Sequence, residues 1–144
     1  MEITANASQV VKPNGNVMFE GIRTPGNASI IYQCGSGLVT LRGLCNGQPR
    51  ARFRITFSGN LKADSTMTIG GVTMLSLAIA TNGEAVPIST MTTTVGDTTS
   101  TYNVGTEILV DVPACCCQTI SVKNITDDIT VNVLNANLIV ERVA

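Results

Sequence analysis

Apolar and polar residues alternate one by one through much of this chain. That period of two places one set of side chains on a buried sheet face and the other on an outer face. The pattern is strongest in the last third. Tyr102, Val104, Thr106, Ile108, Val110 and Val112 recur at every second position, and Ile120-Ser121-Val122 and Ile129-Thr130-Val131-Asn132-Val133 repeat the rhythm. Pro113, the Cys115-Cys116-Cys117 run and the turn from Asn124 to Asp128 separate the three runs, so three successive strands are predicted. The clearest single strand is Arg50 to Ser58. There Ala51, Phe53, Ile55 and Phe57 face the core, and Arg50, Arg52, Arg54 and Thr56 face away from it.

Further strands are predicted at Val17 to Glu20, Ser29 to Gln33, Gly37 to Arg42, Thr73 to Ala80 and Glu84 to Thr94. Gly35, Gly37, Gly43, Gly47 and Pro49 punctuate the first of these, and Ser58-Gly59-Asn60 reads as a turn. Asn82-Gly83 has hairpin chemistry, since both residues tolerate positive φ. In the last strand Ile129, Val131 and Val133 are odd-numbered, whereas Ala136, Leu138 and Val140 are even, so a β-bulge between Leu134 and Ala136 is needed to keep one inward face. No segment reads as a capped amphipathic helix. The expectation is an all-β, two-sheet antiparallel jelly-roll sandwich of about eight to ten strands. Residues 1–15 show little pattern beyond Val10-Val11 before the Pro13-Asn14-Gly15 turn, so they are read as an N-terminal arm and 16–144 as the jelly-roll domain.

Composition narrows the function. A chain of 144 residues is long enough for one domain with a core that holds without disulfides or metal. A formal charge of -1 with 13% charged residues argues against nucleic-acid or membrane-surface binding. The first residues lack the basic and apolar regions of a signal peptide, so the chain reads as made and first folded in a cytoplasm. A surface rich in Thr, Asn and Gly with so little charge points to a permanent assembly.

Chemistry-bearing side chains are scarce. The chain has no His, which excludes imidazole metal sites and His base catalysis. The carboxylates are scattered, and Asp127-Asp128 reads as turn chemistry ahead of a calcium site. No catalytic residue, cofactor site or metal site is assigned. Cys34 and Cys45 are either a pair across a hairpin or two buried thiols, and a reducing cytoplasm favours thiols. In the Cys115-Cys116-Cys117 run, strand phase puts Cys116 inward with Ile120 and Val122 and the other two outward. A packed small-residue role is expected there, since zinc would need several chains to converge. The Arg50, Arg52, Arg54 ladder is a solvated outer face, an ion-pair surface between subunits, or a phosphate contact.

The order of elements adds a resemblance. The short strand Asn16 to Glu20, the Gly-rich strand Ser36 to Arg42, the Arg52-Phe53-Arg54-Ile55-Thr56-Phe57 strand and the apolar closing strand Asn137 to Ala144 resemble the trimeric jelly roll of the tumour necrosis factor and complement-component superfamily. In that superfamily the last strand lies near a threefold axis. The resemblance therefore implies a homotrimer with Tyr102, Leu138 and Val140 at its interface. More narrowly, Gly37 to Gly43, Arg50 to Asn60 and Ala136 to Ala144 look like segments of small structural proteins of tailed phages and prophages of gut Firmicutes. This implies a non-enzymatic virion component, a capsid decoration or head-fibre module on the capsid surface. Ile3, Val10 and Val11 of the arm would grip the major capsid protein or another virion protein, and the outer loops would be free to meet a host-surface glycan. Similar jelly rolls also end the filaments of spore coats, so the alternative is a cell- or spore-surface adhesive domain that binds glycan or protein.

Overall fold

The computed structural model describes residues 1–64 and 73–144. The described residues form strands β1 (Glu2–Ala5), β2 (Gln9–Val11), β3 (Gly21–Thr24), β4 (Ile30–Gln33), β5 (Leu38–Arg42), β6 (Arg50–Ala63), β7 (Thr73–Thr81), β8 (Glu84–Ala85), β9 (Met91–Val95), β10 (Tyr102–Pro113), β11 (Cys117–Asn124) and β12 (Val131–Arg142). One sheet runs β10-β6-β12-β1-β3 with β2 alongside β12. The other runs β4-β5-β11-β7-β8 with β9 alongside β7. Every pairing is antiparallel. The two-sheet sandwich expected from alternation is the observed architecture.

The core lies between the sheets. From the first come Phe53, Ile55, Phe57, Leu61, Leu138 and Val140, and from the second Leu41, Leu75, Leu77, Ile79, Ile120 and Val122, all essentially without solvent exposure. Burying each such side chain is worth roughly 1.5–3 kcal/mol, so this interior supplies most of the drive to fold.

Several local expectations hold for the reasons given. Asn82 and Gly83 both have positive φ, at 51° and 85°, and join β7 to β8 as a tight hairpin. The register of β12 slips between Leu134 and Asn137, with Asn135 at φ 50°, and this bulge turns Val131, Val133, Ala136, Leu138 and Val140 all inward.

Other expectations are corrected. Ser58-Gly59-Asn60 is strand interior, because these residues pair with Gly105, Val104 and Asn103 of β10 while Leu61 and Ala63 continue the inward phase. Glu84 to Thr94 is two strands separated by a 3₁₀ turn at Pro87–Ser89, where proline offers no N–H to a ladder. Val17 to Glu20 forms no regular strand. Val17 N–H donates to the Val122 carbonyl at 2.8 Å and the Phe19 backbone is taken up by the Tyr32 hydroxyl; the segment joins β1 only from Glu20, whose N–H donates to the Thr4 carbonyl at 3.2 Å, and β3 begins at Gly21.

The arm is also corrected. β1 lies inside the first sheet between β12 and β3, with Ile3 and Ala5 buried, and β2 pairs the start of β12. Residues 1–15 are part of the jelly roll, and the boundary at residue 16 does not separate an appendage from a domain. Fully buried Asn124 fastens this segment: its Nδ2 donates to the carbonyls of Val11 at 3.0 Å and Ile129 at 2.9 Å, and its Oδ1 accepts from Thr126 N–H at 3.0 Å. Each bond to such a group saves it the cost of being buried unpaired.

Candidate functional site

The outer face of the first sheet is where side chains of β6, β10, β12 and β1 that point away from the core meet. Pairing register sets them in rows. Asp111 lies opposite Arg52. Leu109, Arg54 and Glu141 form the next row, then Glu107, Thr56, Ile139 and Glu2, then Gly105, Ser58, Asn137 and Thr4.

The arginine ladder is answered within the chain. Arg52 grips Asp111 with two donors, Nε to Oδ1 at 2.7 Å and Nη2 to Oδ2 at 2.9 Å, and Arg50 reaches the same carboxylate at 3.5 Å. Arg54 donates Nη1 to Glu141 Oε1 at 3.0 Å and lies 3.4 Å from Glu107 Oε1; the Thr56 hydroxyl donates to the other Glu107 oxygen at 3.0 Å. The Nε of Arg54 makes only the charge contact, without hydrogen-bond geometry. The Arg52 hydrogen bond, reinforced by the charges of Arg52 and Arg50, holds the Asp111 carboxyl below the usual carboxylate range, and partial desolvation opposes it. The same hydrogen bond raises the Arg52 guanidinium. A carboxyl held ionised in this way is the reverse of what a general acid needs. Exposed pairs of this kind add little stability, but they fix side-chain positions and neutralise the face.

Among these polar rows stand large aliphatic residues. Leu109 is 56% exposed and Ile139 38%. Leu109 also borders an open groove of about 470 Å³ beside edge strand β10, lined in addition by Thr81, Val86, Ile88, Glu107 and Gln118. The arrangement can bind a surface by covering aliphatic groups inside a frame of already paired charges.

The residues predicted for an interface or an attachment point do not gather here. Leu138 and Val140 have no exposure and face the other sheet, so they hold the core and not an interface. Tyr102 is half-buried at the start of β10 and packs against the core. Ile3 and Val11 are buried as well, for β1 and β2 are sheet strands; Val10, at 58% exposure, is the accessible member of that trio. Sequence reasoning missed Leu109 and Ile139. The signal was present in Ile108-Leu109-Val110 and Leu138-Ile139-Val140, where three consecutive apolar residues break the alternation and the middle one must point outward.

The cysteines are arranged otherwise than expected. Cys45 is disulfide-bonded to Cys115, tying the β5–β6 loop to the β10–β11 turn, and Cys34, Cys116 and Cys117 are exposed thiols. Cys116 does not share the inward phase of Ile120 because the chain is still turning there: Cys115 has φ 62° and donates its N–H to the Gly43 carbonyl at 2.7 Å, and β11 begins at Cys117. Gly43 makes the close approach possible, since a side chain there would strike the backbone of Pro113. Asp127 and Asp128 lie in the β11–β12 turn, with Asp128 at φ 55°. Among the described residues no three His, Cys, Asp or Glu side chains are grouped to hold a metal ion.

No protein-family model and no curated protein matches this sequence. Among solved structures, the globular domain of zebrafish complement 1qA protein superposes with a TM-score of 0.59 at 10% identity, over 96% of this chain and 93% of that one. The two share a jelly-roll fold. Rabbit GITRL follows more loosely, at a TM-score of 0.41, 16% identity, 81% of this chain and 78% of the other. A family 35 carbohydrate-binding module from Clostridium thermocellum has a TM-score of 0.34 at 14% identity, over 92% and 97%. The all-β jelly-roll expectation therefore stands on both the observed sheets and the complement 1qA superposition, and that likeness concerns the fold alone.

Proposed function

We propose that this chain is a non-enzymatic structural module that assembles as a homotrimer through the outer face of its first sheet, the one built on β10, β6 and β12, and that it serves on a virion surface as a capsid decoration or head-fibre component. The observation that carries the assembly reading is the pair Leu109 and Ile139, exposed among arginines whose charges are already answered by Asp111, Glu107 and Glu141. Covering such a face removes apolar area from water without stranding a bare charge. The threefold state and the virion setting rest on the resemblance of the strand segments to trimeric jelly rolls and phage structural proteins. Exposed Val10 is the residue through which contact with a capsid or other virion protein is most direct.

Light scattering at micromolar concentration should return three times 15.1 kDa. Ile139→Asp and Leu109→Asp should each return a folded monomer, because they place an unpaired carboxylate where the copies meet. A wild-type monomer, or trimers that tolerate both substitutions, would remove the assembly reading. Co-sedimentation with capsids tests the setting: an intact trimer that ignores capsids and binds glycans would favour the adhesive reading.

A further inference from the structure

Three Asn-Gly pairs occur in the sequence, Asn14-Gly15, Asn46-Gly47 and Asn82-Gly83, and the fold treats them differently. Asn14 and Asn82 sit in left-handed turns at φ 62° and 51°. The Asn14 N–H donates to Asn124 at 2.8 Å, and the Gly15 N–H donates to the Lys12 carbonyl at 2.8 Å. Asn82 is clamped across the sheet, its N–H on the Thr119 carbonyl at 2.9 Å and its Oδ1 accepting from Thr119 N–H at 3.0 Å. Asn46 is exposed in the loop between Cys45 and β6, and is not among the residues with positive φ. Gly47, like Gly83, has open space around it, so what separates the two pairs among the described residues is the clamp on the preceding asparagine, which Asn46 lacks. One bond is present and points the right way: Gln48 N–H donates to Asn46 Oδ1 at 3.3 Å. That contact is an Asx turn, and it polarises the side-chain carbonyl of the residue that precedes Gly47.

We infer that Asn46 is a site of spontaneous deamidation, selected by the fold from the three Asn-Gly pairs. The deprotonated Gly47 nitrogen attacks Cγ of Asn46, and the oxyanion formed is stabilised by the Gln48 N–H. The Cγ–Nδ2 bond breaks, ammonia leaves with the proton that Gly47 lost, and a succinimide ring remains. Water opens the ring at one of its two carbonyls to give aspartate or isoaspartate. The product is one charge more negative, and the isoaspartate form lengthens the main chain by one methylene between the disulfide at Cys45 and the start of β6. Asn27 is an internal control. It has the same side-chain contact, from Ser29 N–H at 2.8 Å, but Ala28 follows it, and the methyl group shields the attacking nitrogen.

The test is to age the folded full-length protein and, in parallel, the reduced chain in denaturant, at mildly alkaline pH, and to map peptides by mass spectrometry with isoaspartate detection. In the folded protein the peptide Gly43 to Arg50 should gain one mass unit at least about tenfold faster than the peptides holding Asn14, Asn27 or Asn82, because the hydrogen-bonded turns must open before they react. In denaturant the three Asn-Gly pairs should react at similar rates, with Asn27 slower. Asn14 or Asn82 keeping pace with Asn46 in the folded protein would overturn the inference. So would an unmodified Asn46, or a denatured chain that singles out Asn46 to the same degree.

Discussion

The two faces of the first sheet, built on β10, β6 and β12, are made by the same strands and do opposite work. On the inner side Phe53, Ile55, Phe57, Leu138 and Val140 are packed away from water, each worth roughly 1.5–3 kcal/mol. On the outer side Arg52, Arg54, Glu107, Asp111 and Glu141 pair with one another at the surface, where such bridges contribute little to folding. The inner face therefore holds the fold, and the outer face can be occupied by whatever a partner requires. Leu138 and Ile139 show the contrast within two residues. One is essential to the sandwich. The other faces solvent in the single chain.

Leu138→Asp gives the largest expected effect. It puts a carboxylate between the sheets with no partner, at a cost of several kcal/mol, and should abolish near-UV dichroism and the cooperative melt. A folded variant melting near the wild type would break the comparison, since Leu138 would then not lie on the inner side. Removing the disulfide comes next. Replacing Cys45 and Cys115 together by Ser frees a loop closed over 70 residues and should lower the denaturation free energy by about 4 kcal/mol. The bridge joins loops beyond the strands, so the assembly proposed for the outer face should persist wherever the chain remains folded.

The smallest effect belongs to the outer face itself. The Asp111 carboxyl is held below its ordinary range by Arg52, so the folded state binds this proton more weakly than the unfolded state does. Its contribution is therefore complete above the unfolded carboxylate range and is lost as pH falls through the lowered folded value. The stability difference between wild type and Asp111→Asn should be constant near neutrality and shrink in acid, as followed by denaturation at several pH values. A difference that grows in acid would reverse the assignment of the pair.

Much of the fold was legible because alternation is a local signal. Arg50 to Ser58 and Tyr102 to Val112 declare their faces residue by residue, and the bulge near Asn135 was visible as a change of parity. What escaped depends on contacts distant in the chain. β1 has only Ile3 and Ala5 to bury, too short a run to stand out, and its place is set by β12 at the other end of the sequence. The partner of Cys45 lies 70 residues away and is brought near by the loops, not by strand phase. The outer face could be read only in part: the arginine ladder was evident, whereas its answering carboxylates on β10 and β12 become neighbours through register alone.

The burial of Asn124 bears on how this protein can be made. Asn124-Ile125-Thr126 is an acceptor triplet for N-linked glycans, and the amide nitrogen that would carry the sugar is the one donating to Val11 and Ile129. In a eukaryotic secretory pathway, modified and folded are mutually exclusive outcomes for that nitrogen, because a glycan cannot occupy a site with no exposure. Mutating the triplet offers no simple escape. Thr126 is itself engaged, its hydroxyl accepting from Ser76 N–H at 2.8 Å and donating to the Ser76 carbonyl at 3.1 Å, so either substitution removes bonds that tie β11 to its surroundings. Synthesis where no oligosaccharide is transferred avoids the conflict altogether.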